Sequence, residues 1–263
     1  MLAPLFLLSA CVSAGVNISD EPGALVWADE FDGDALDAAS WSHDTFRNRD
    51  GWFNEEAQYY GPDAVEVSDG TLKITASKAD LSDKPDWGGQ AYGSARLVTQ
   101  GKVPVRYGRV EARIRVPCGR GLWPAFWMLS EDDQPWPARG EIDIMEFVGH
   151  QPDRFHATIH TKDHNHMDGT ERGAQLRLPD ACDAWHVHRL DWGEDQLTVS
   201  VDGKPYFTHR KNGSGAGQWP FDKPFHILLN VAVGGTWGGR EGIDEGALPA
   251  TMEVDWVRVY APG

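Results

Sequence analysis

Gly140-Glu141-Ile142-Asp143-Ile144-Met145-Glu146-Phe147 puts three carboxylates within six residues of an otherwise apolar stretch. Ile142, Ile144, Met145 and Phe147 draw the segment toward a core, so a merely solvated charged face does not fit it. Side chains alternate along a strand with period 2, which places Glu141 and Asp143 on one face. Glu146 lies an odd number of residues from both and would point the other way. One bulge residue near Met145 corrects the phase, returning Glu146 to the acidic face with Ile142, Ile144 and Phe147 inward. Two carboxyl groups with a third between them are equipped for acid/base work on a glycosidic bond. One attacks the anomeric carbon, and a second, kept protonated by nearby negative charge, delivers a proton to the leaving oxygen. The plainer alternative is a strand whose acids face solvent or hold a cation.

The same period runs outward from this strand. Val65-Glu66-Val67 and Thr71-Leu72-Lys73-Ile74 flank Asp69-Gly70, a tight hairpin signal that Asp202-Gly203 repeats between Leu197–Val201 and Pro205-Tyr206-Phe207. From Arg109 to Val116 the chain alternates, with Val110, Ala112, Ile114 and Val116 inward and Arg109, Glu111, Arg113 and Arg115 outward. Phe225–Val233 and Met252–Tyr260 read as further strands, and no segment offers a long capped amphipathic helix. The pattern predicts an all-β, two-sheet antiparallel sandwich, and 263 residues suit one such domain. Lys and Arg number 24 against 40 Asp and Glu, a net charge of −16 that repels phosphate backbones and argues against nucleic-acid binding. Twelve Trp supply core, and also flat platforms for sugar faces. Acidity and Trp content together favour a neutral polysaccharide as partner.

Upstream of the acidic strand stands Gly119-Arg120-Gly121-Leu122-Trp123-Pro124-Ala125-Phe126-Trp127-Met128-Leu129, then Trp136-Pro137. With Gly140–Glu146 this resembles glycoside hydrolase family 16, and within it the bacterial laminarinase-like β-glucanases. The likeness continues in Val26–Gly33, Glu56–Tyr60, Tyr107–Arg113, Asn230–Trp237 and Val254–Tyr260. It implies a concanavalin-like β-jelly roll with the catalytic cleft on its concave sheet, spanning residues 23–263. It also implies retaining endo-hydrolysis of β-1,3-glucan with no catalytic cofactor, the runners-up being mixed-linkage glucan, a galactan, transglycosylation or a non-catalytic lectin. Glu141 would be the nucleophile, Glu146 the general acid/base, and Asp143 the residue that positions and tunes both. Trp123, Trp127 and Trp237 are the expected sugar platforms, and Asn54, Arg96 and His160 match positions that contact sugar or order the acids. Where the family has Asn-Asn-Glu-Leu-Gln-Tyr-Tyr, this chain reads Asn54-Glu55-Glu56-Ala57-Gln58-Tyr59-Tyr60, an added acid at a subsite contact.

Residues 1–22 read as an export signal and tether. Leu8-Ser9-Ala10-Cys11 resembles the bacterial lipobox, so Cys11 is the expected lipidation site and the protein is expected in the periplasm or at the cell surface, lipid-anchored and monomeric. An ordinary signal peptide is the alternative. Lipidation of Cys11 leaves Cys118 and Cys182, an even pair that an oxidising compartment can join into a disulfide pinning a cleft loop; two free thiols are the alternative. His160-Thr161-Lys162-Asp163-His164-Asn165-His166 has chelating letters, but a loop at the cleft rim with only His160 functional is the reading taken. By resemblance, Glu30, Gly70 and Asp255 would hold a structural Ca2+ on the convex face; Asp255 as a surface acid is the alternative.

Overall fold

The computed structural model describes residues 22–213 and 215–263. The expected export signal, the lipobox-like segment and Cys11 lie outside them. Two sheets stack face to face. One has seven strands, in the order Arg172–Arg177, Arg154–His160, Glu141–Glu146, Leu122–Ser130, Phe225–Val233, Arg96–Val98 and Ser42–His43. The other has ten, its main path running Lys204–Arg210, Gln196–Val201, Trp185–Trp192, Gly108–Arg115, Ala250–Tyr260, Thr71–Lys78, Tyr92–Ser94 and Gln58–Tyr60. Leu25–Asp29 and Val65–Ser68 complete it beside Ala250–Tyr260 and Thr71–Lys78. Pairing is antiparallel except between Gln58–Tyr60 and Tyr92–Ser94. Both Asp-Gly hairpins form, with Asp69, Gly70, Asp202 and Gly203 all at positive φ, as a two-residue turn matched to strand twist requires.

The core lies between the sheets. Val110, Ala112, Ile114 and Val116 are inward, against Phe126, Met128, Ile142 and Ile144 of the seven-stranded sheet. Arg109 faces outward as the alternation requires, yet neighbouring side chains bury it, and its Nε donates to Asp191 Oδ1 at 2.8 Å. A Cys118–Cys182 disulfide ties the end of Gly108–Arg115 to the entry of Trp185–Trp192, two adjacent strands of the ten-stranded sheet. The bridge thus anchors the loop that leads into Leu122–Ser130, the strand carrying Trp123 and Trp127, to the ten-stranded sheet.

Candidate active site

Gly140 turns the chain into the acidic strand at φ 89, where a Cβ would meet Pro220 Cγ at 2.7 Å. Glu141 pairs with Leu129 and Asp143 with Trp127; the register then skips, and Met145 pairs with Phe126 and Glu146 with Ala125. The same slip appears on the other edge, where Asp143 faces Thr158 and Glu146 faces His156. The bulge expected from the sequence is thus present at Ile144-Met145. Ile142, Ile144, Met145 and Phe147 are all fully buried, and the three acids share the outward face.

That face is the floor of a cleft of about 850 Å³. Glu141, Asp143, Glu146, Asn54, Arg96, Trp123 and Trp127 all line it. His160 sits beneath the acids, its Nε2 3.4 Å from Asp143 Oδ2 and 3.9 Å from Glu141 Oε1. Trp237 stands outside the lining, edge-on to Trp123 with ring centroids 5.3 Å apart and to His156 at 4.9 Å; it buttresses a wall residue. Glu55, the added acid, is exposed and also off the cleft wall. Of the histidine loop, His166 reaches the cleft and packs on Trp136 at 5.0 Å.

The hydrogen bonds distinguish the acids. Trp136 Nε1 donates to Glu141 Oε2 at 2.9 Å, and Trp123 Nε1 donates to Glu146 Oε1 at 3.2 Å. Thr158 Oγ1 lies 3.5 Å from Glu146 Oε2. Burial is the main force on all three groups and favours the protonated form. It raises Glu141 to about 7, against the opposing pull of the Trp136 N–H, the Arg96 charge and a hydrogen bond from Asp143. Glu146 rises to about 8, with the Glu141 charge adding to burial. Asp143 goes well above the ordinary range, since burial and both neighbouring glutamates oppose its ionisation. Glu141 is therefore the group that most readily carries negative charge. Asp143 holds a proton toward it, and Glu146 is predominantly protonated at neutral pH. Burial depresses His160 to about 4, so it stands neutral beside the acids.

Several side chains of this site escaped the reading of the sequence. Trp136 was visible only as part of a motif, yet it supplies the Glu141 donor. Trp127 Nε1 donates to Asn230 Oδ1 at 2.7 Å, Asn230 Nδ2 donates to the Tyr60 hydroxyl at 3.1 Å, and that hydroxyl donates to Glu56 Oε2 at 3.4 Å. Arg96 lies 4.8 Å from the Trp127 ring centroid and 5.2 Å from that of Trp52, with Asp44 on its Nε at 2.9 Å. Sequence spacing gives no warning of such a network, because its members come from four separate strands and a loop.

Among the described residues, metal-ligating side chains converge at Glu141, Asp143 and His160, and at Cys118, Cys182 and Asp183, where the sulfurs are bonded to each other. The expected Ca2+ ligands are engaged otherwise. Glu30 takes a two-pronged contact from Arg258, both at 2.8 Å, and Asp255 takes Arg113 Nη1 at 2.7 Å. Gly70 forms the tip of its hairpin. As they stand, these donors do not fit a cation without displacing two arginines.

A sandwich with buried carboxyl groups of graded acidity along an open cleft, flanked by indole walls, defines a glycoside hydrolase. Residues 54–258 match the model for "Glycosyl hydrolases family 16", and the chain belongs to that family. It is 43% identical to a β-glucanase of Rhodothermus marinus, over 97% of this chain and 92% of the relative. The solved laminarinase from Rhodothermus marinus superposes with a TM-score of 0.84 at 44% identity, covering 90% of this chain and 96% of that one. SCLam, a non-specific endo-β-1,3(4)-glucanase of the same family, gives 0.87 at 46% identity over 92% and 95%. A mutant of SCLam presenting a 1,3-β-D-cellobiosyl-glucose at its active site gives 0.88 at 45% identity, over 92% and 98%.

Proposed function

We propose that the protein is an endo-acting β-1,3-glucanase that hydrolyses its substrate with retention of anomeric configuration. The observation that carries this reading is the bulge, which brings Glu146 onto the face of Glu141 and Asp143 inside one cleft. Glu141, stabilised as a carboxylate by Trp136 and by the proton of Asp143, attacks the anomeric carbon and forms an ester. Glu146 gives its proton to the departing glycosidic oxygen. Esterification removes the Glu141 charge that had held the Glu146 proton on. Glu146 then becomes the better base, takes a proton from water, and that water cleaves the ester and frees Glu141. The experiment is reducing-end release from laminarin, with the anomer of the first product followed by NMR. Initial β-anomer supports the reading, whereas initial α-anomer or no cleavage overturns it.

A second reading, activity on mixed-linkage β-1,3-1,4-glucan as well, is favoured by the 46% identity to a non-specific endo-β-1,3(4)-glucanase. Comparable rates on laminarin and barley glucan would support it. An exported, lipid-anchored location is also proposed, on the strength of Leu8-Ser9-Ala10-Cys11. The substitution Cys11→Ser should then release the enzyme from the membrane fraction; retention there would count against the anchor.

A further inference from the structure

At the rim of the cleft beyond Trp127, two large apolar side chains stand in solvent: Phe46 is 66% exposed and Phe53 51% exposed, and both line the same cleft as the acids. Their rings lie 6.3 Å apart, and Phe46 meets the buried Trp52 edge-on at 5.5 Å. The loop that displays them is held firmly. Asn48 is fully buried, donating to the Tyr60 carbonyl at 2.8 Å and accepting from Trp52 Nε1 and the Tyr60 N–H, both at 2.9 Å. Arg47 Nε donates to the Gly51 carbonyl at 2.9 Å, and its guanidinium lies over Phe53 at 4.5 Å. Asn54 and Glu55, at φ 57 and 59, turn the chain immediately after Phe53.

On this hydrogen-bonded loop both rings remain in solvent, an exposed apolar pair beside the cleft. From the acidic strand the cleft floor crosses four strand intervals to Ser42–His43, roughly 19 Å at ~4.8 Å per interval, which leaves room for several glucosyl units. We propose that Phe46 and Phe53 form a distal platform on which the apolar face of a remote glucosyl residue of the β-1,3-glucan rests. This rests on the proposed β-1,3-glucanase activity and extends it to chain-length preference. The occupant follows from continuity: the platform shares a cleft with the acids and with Trp127, and open aromatic faces suit the C–H faces of a neutral sugar.

A platform that only holds the chain binds ground and transition states alike. Its loss should therefore raise KM for long chains with kcat little moved. The test is kcat/KM on a ladder of β-1,3-gluco-oligosaccharides, for the wild type and for Phe46→Ala, Phe53→Ala and the double variant. The ratio of long-chain to short-chain efficiency should fall roughly tenfold in the double variant, the scale expected for uncovering aromatic area. Phe46→Trp should keep that ratio. General misfolding would lower both lengths alike and leave the ratio where it was. An unchanged ratio in a well-folded double variant overturns the platform, and so does a dimer seen by sedimentation that the double variant dissolves, because a second copy would then cover the pair. A wild type silent on the whole ladder would instead sink the β-1,3-glucanase reading itself.

Discussion

On the cleft side of the sandwich, Glu141, Asp143 and Glu146 lie side by side, with indole N–H groups on the two glutamates, neutral His160 beside Asp143, and one another as polar partners. On the ten-stranded sheet, by contrast, Asp191, Asp255, Glu253 and Glu30 each meet a guanidinium. Arg109 and Arg189 hold Asp191, Arg113 holds Asp255, Arg115 holds Glu253 and Arg258 holds Glu30. The pKa directions follow. The Arg258 fork keeps Glu30 below its usual range despite some burial, whereas burial without a paired cation pushes the cleft acids upward. Glu111 is intermediate: burial raises it, and the charges of Arg109 and Arg189 oppose that rise. The difference separates acids that serve the scaffold from acids kept uncompensated for chemistry.

The largest effect should come from emptying the cleft of an acid. Glu146→Ala should lower kcat by roughly 10²–10⁴, the usual worth of a general acid/base, and Glu141→Ala by at least as much, with melting curves still cooperative. Added azide should rescue Glu146→Ala with a β-glycosyl azide and Glu141→Ala with the α-anomer. Swapped products would exchange the two roles.

The next effect is on the pH profile. Activity needs Glu141 ionised and Glu146 protonated, so kcat/KM should rise through a limb near 7 and fall through one near 8. Trp136→Phe removes the donor that favours the Glu141 carboxylate. The acidic limb should then move up and activity near pH 7 should drop about tenfold, the scale of a hydrogen bond to a charged group. An unmoved limb would assign it to another residue.

Stability should divide along the same line with opposite signs. Glu141 and Glu146 have folded-state pKa values above 4.5, so the folded protein retains protons that the unfolded chain releases. Their contribution is most favourable below about pH 4.5 and is lost as pH rises toward 8. Glu146→Gln should accordingly raise the Tm at pH 8 and leave it nearly unchanged at pH 4. A Tm lowered at both would mean that the carboxyl group is structural.

Which of these features could be read in letters depends on how local they are. The bulge was legible because the phase conflict between Glu141, Asp143 and Glu146 lies within one strand, and a single inserted residue resolves it. Both hairpins were legible because Asp-Gly specifies its own turn. Trp123 and Trp127 were legible as a face, although their hydrogen-bond partners were not. Trp136 comes from a loop, Asn230 from a strand a hundred residues downstream, and only the fold joins them to Glu141 and Trp127. Arg109 shows the limit of alternation: it points outward as expected, but neighbouring side chains bury that outward face.

The smallest effect is on the back, where the calcium expected from resemblance competes with arginine for the same carboxylates. Glu30 has its pKa lowered, chiefly by the hydrogen bonds from Arg258, so the pair stabilises the fold above about pH 4.5 and fades as pH falls. The Glu30 side chain is 41% exposed, so solvent screening limits the pair to about 0.5 kcal/mol. Glu30→Gln should cost no more than that at pH 7 and leave kcat/KM unchanged. A structural Ca2+ held by Glu30, Gly70 and Asp255 would behave differently, because a bound ion stabilises in proportion to its occupancy. Chelation would then lower the Tm of the wild type by more than Glu30→Gln does, and the variant would no longer respond to chelator. If EDTA leaves both melting curves in place, Arg258 and Arg113 are sufficient partners for those acids. Those acids would then be held by ion pairs without a metal.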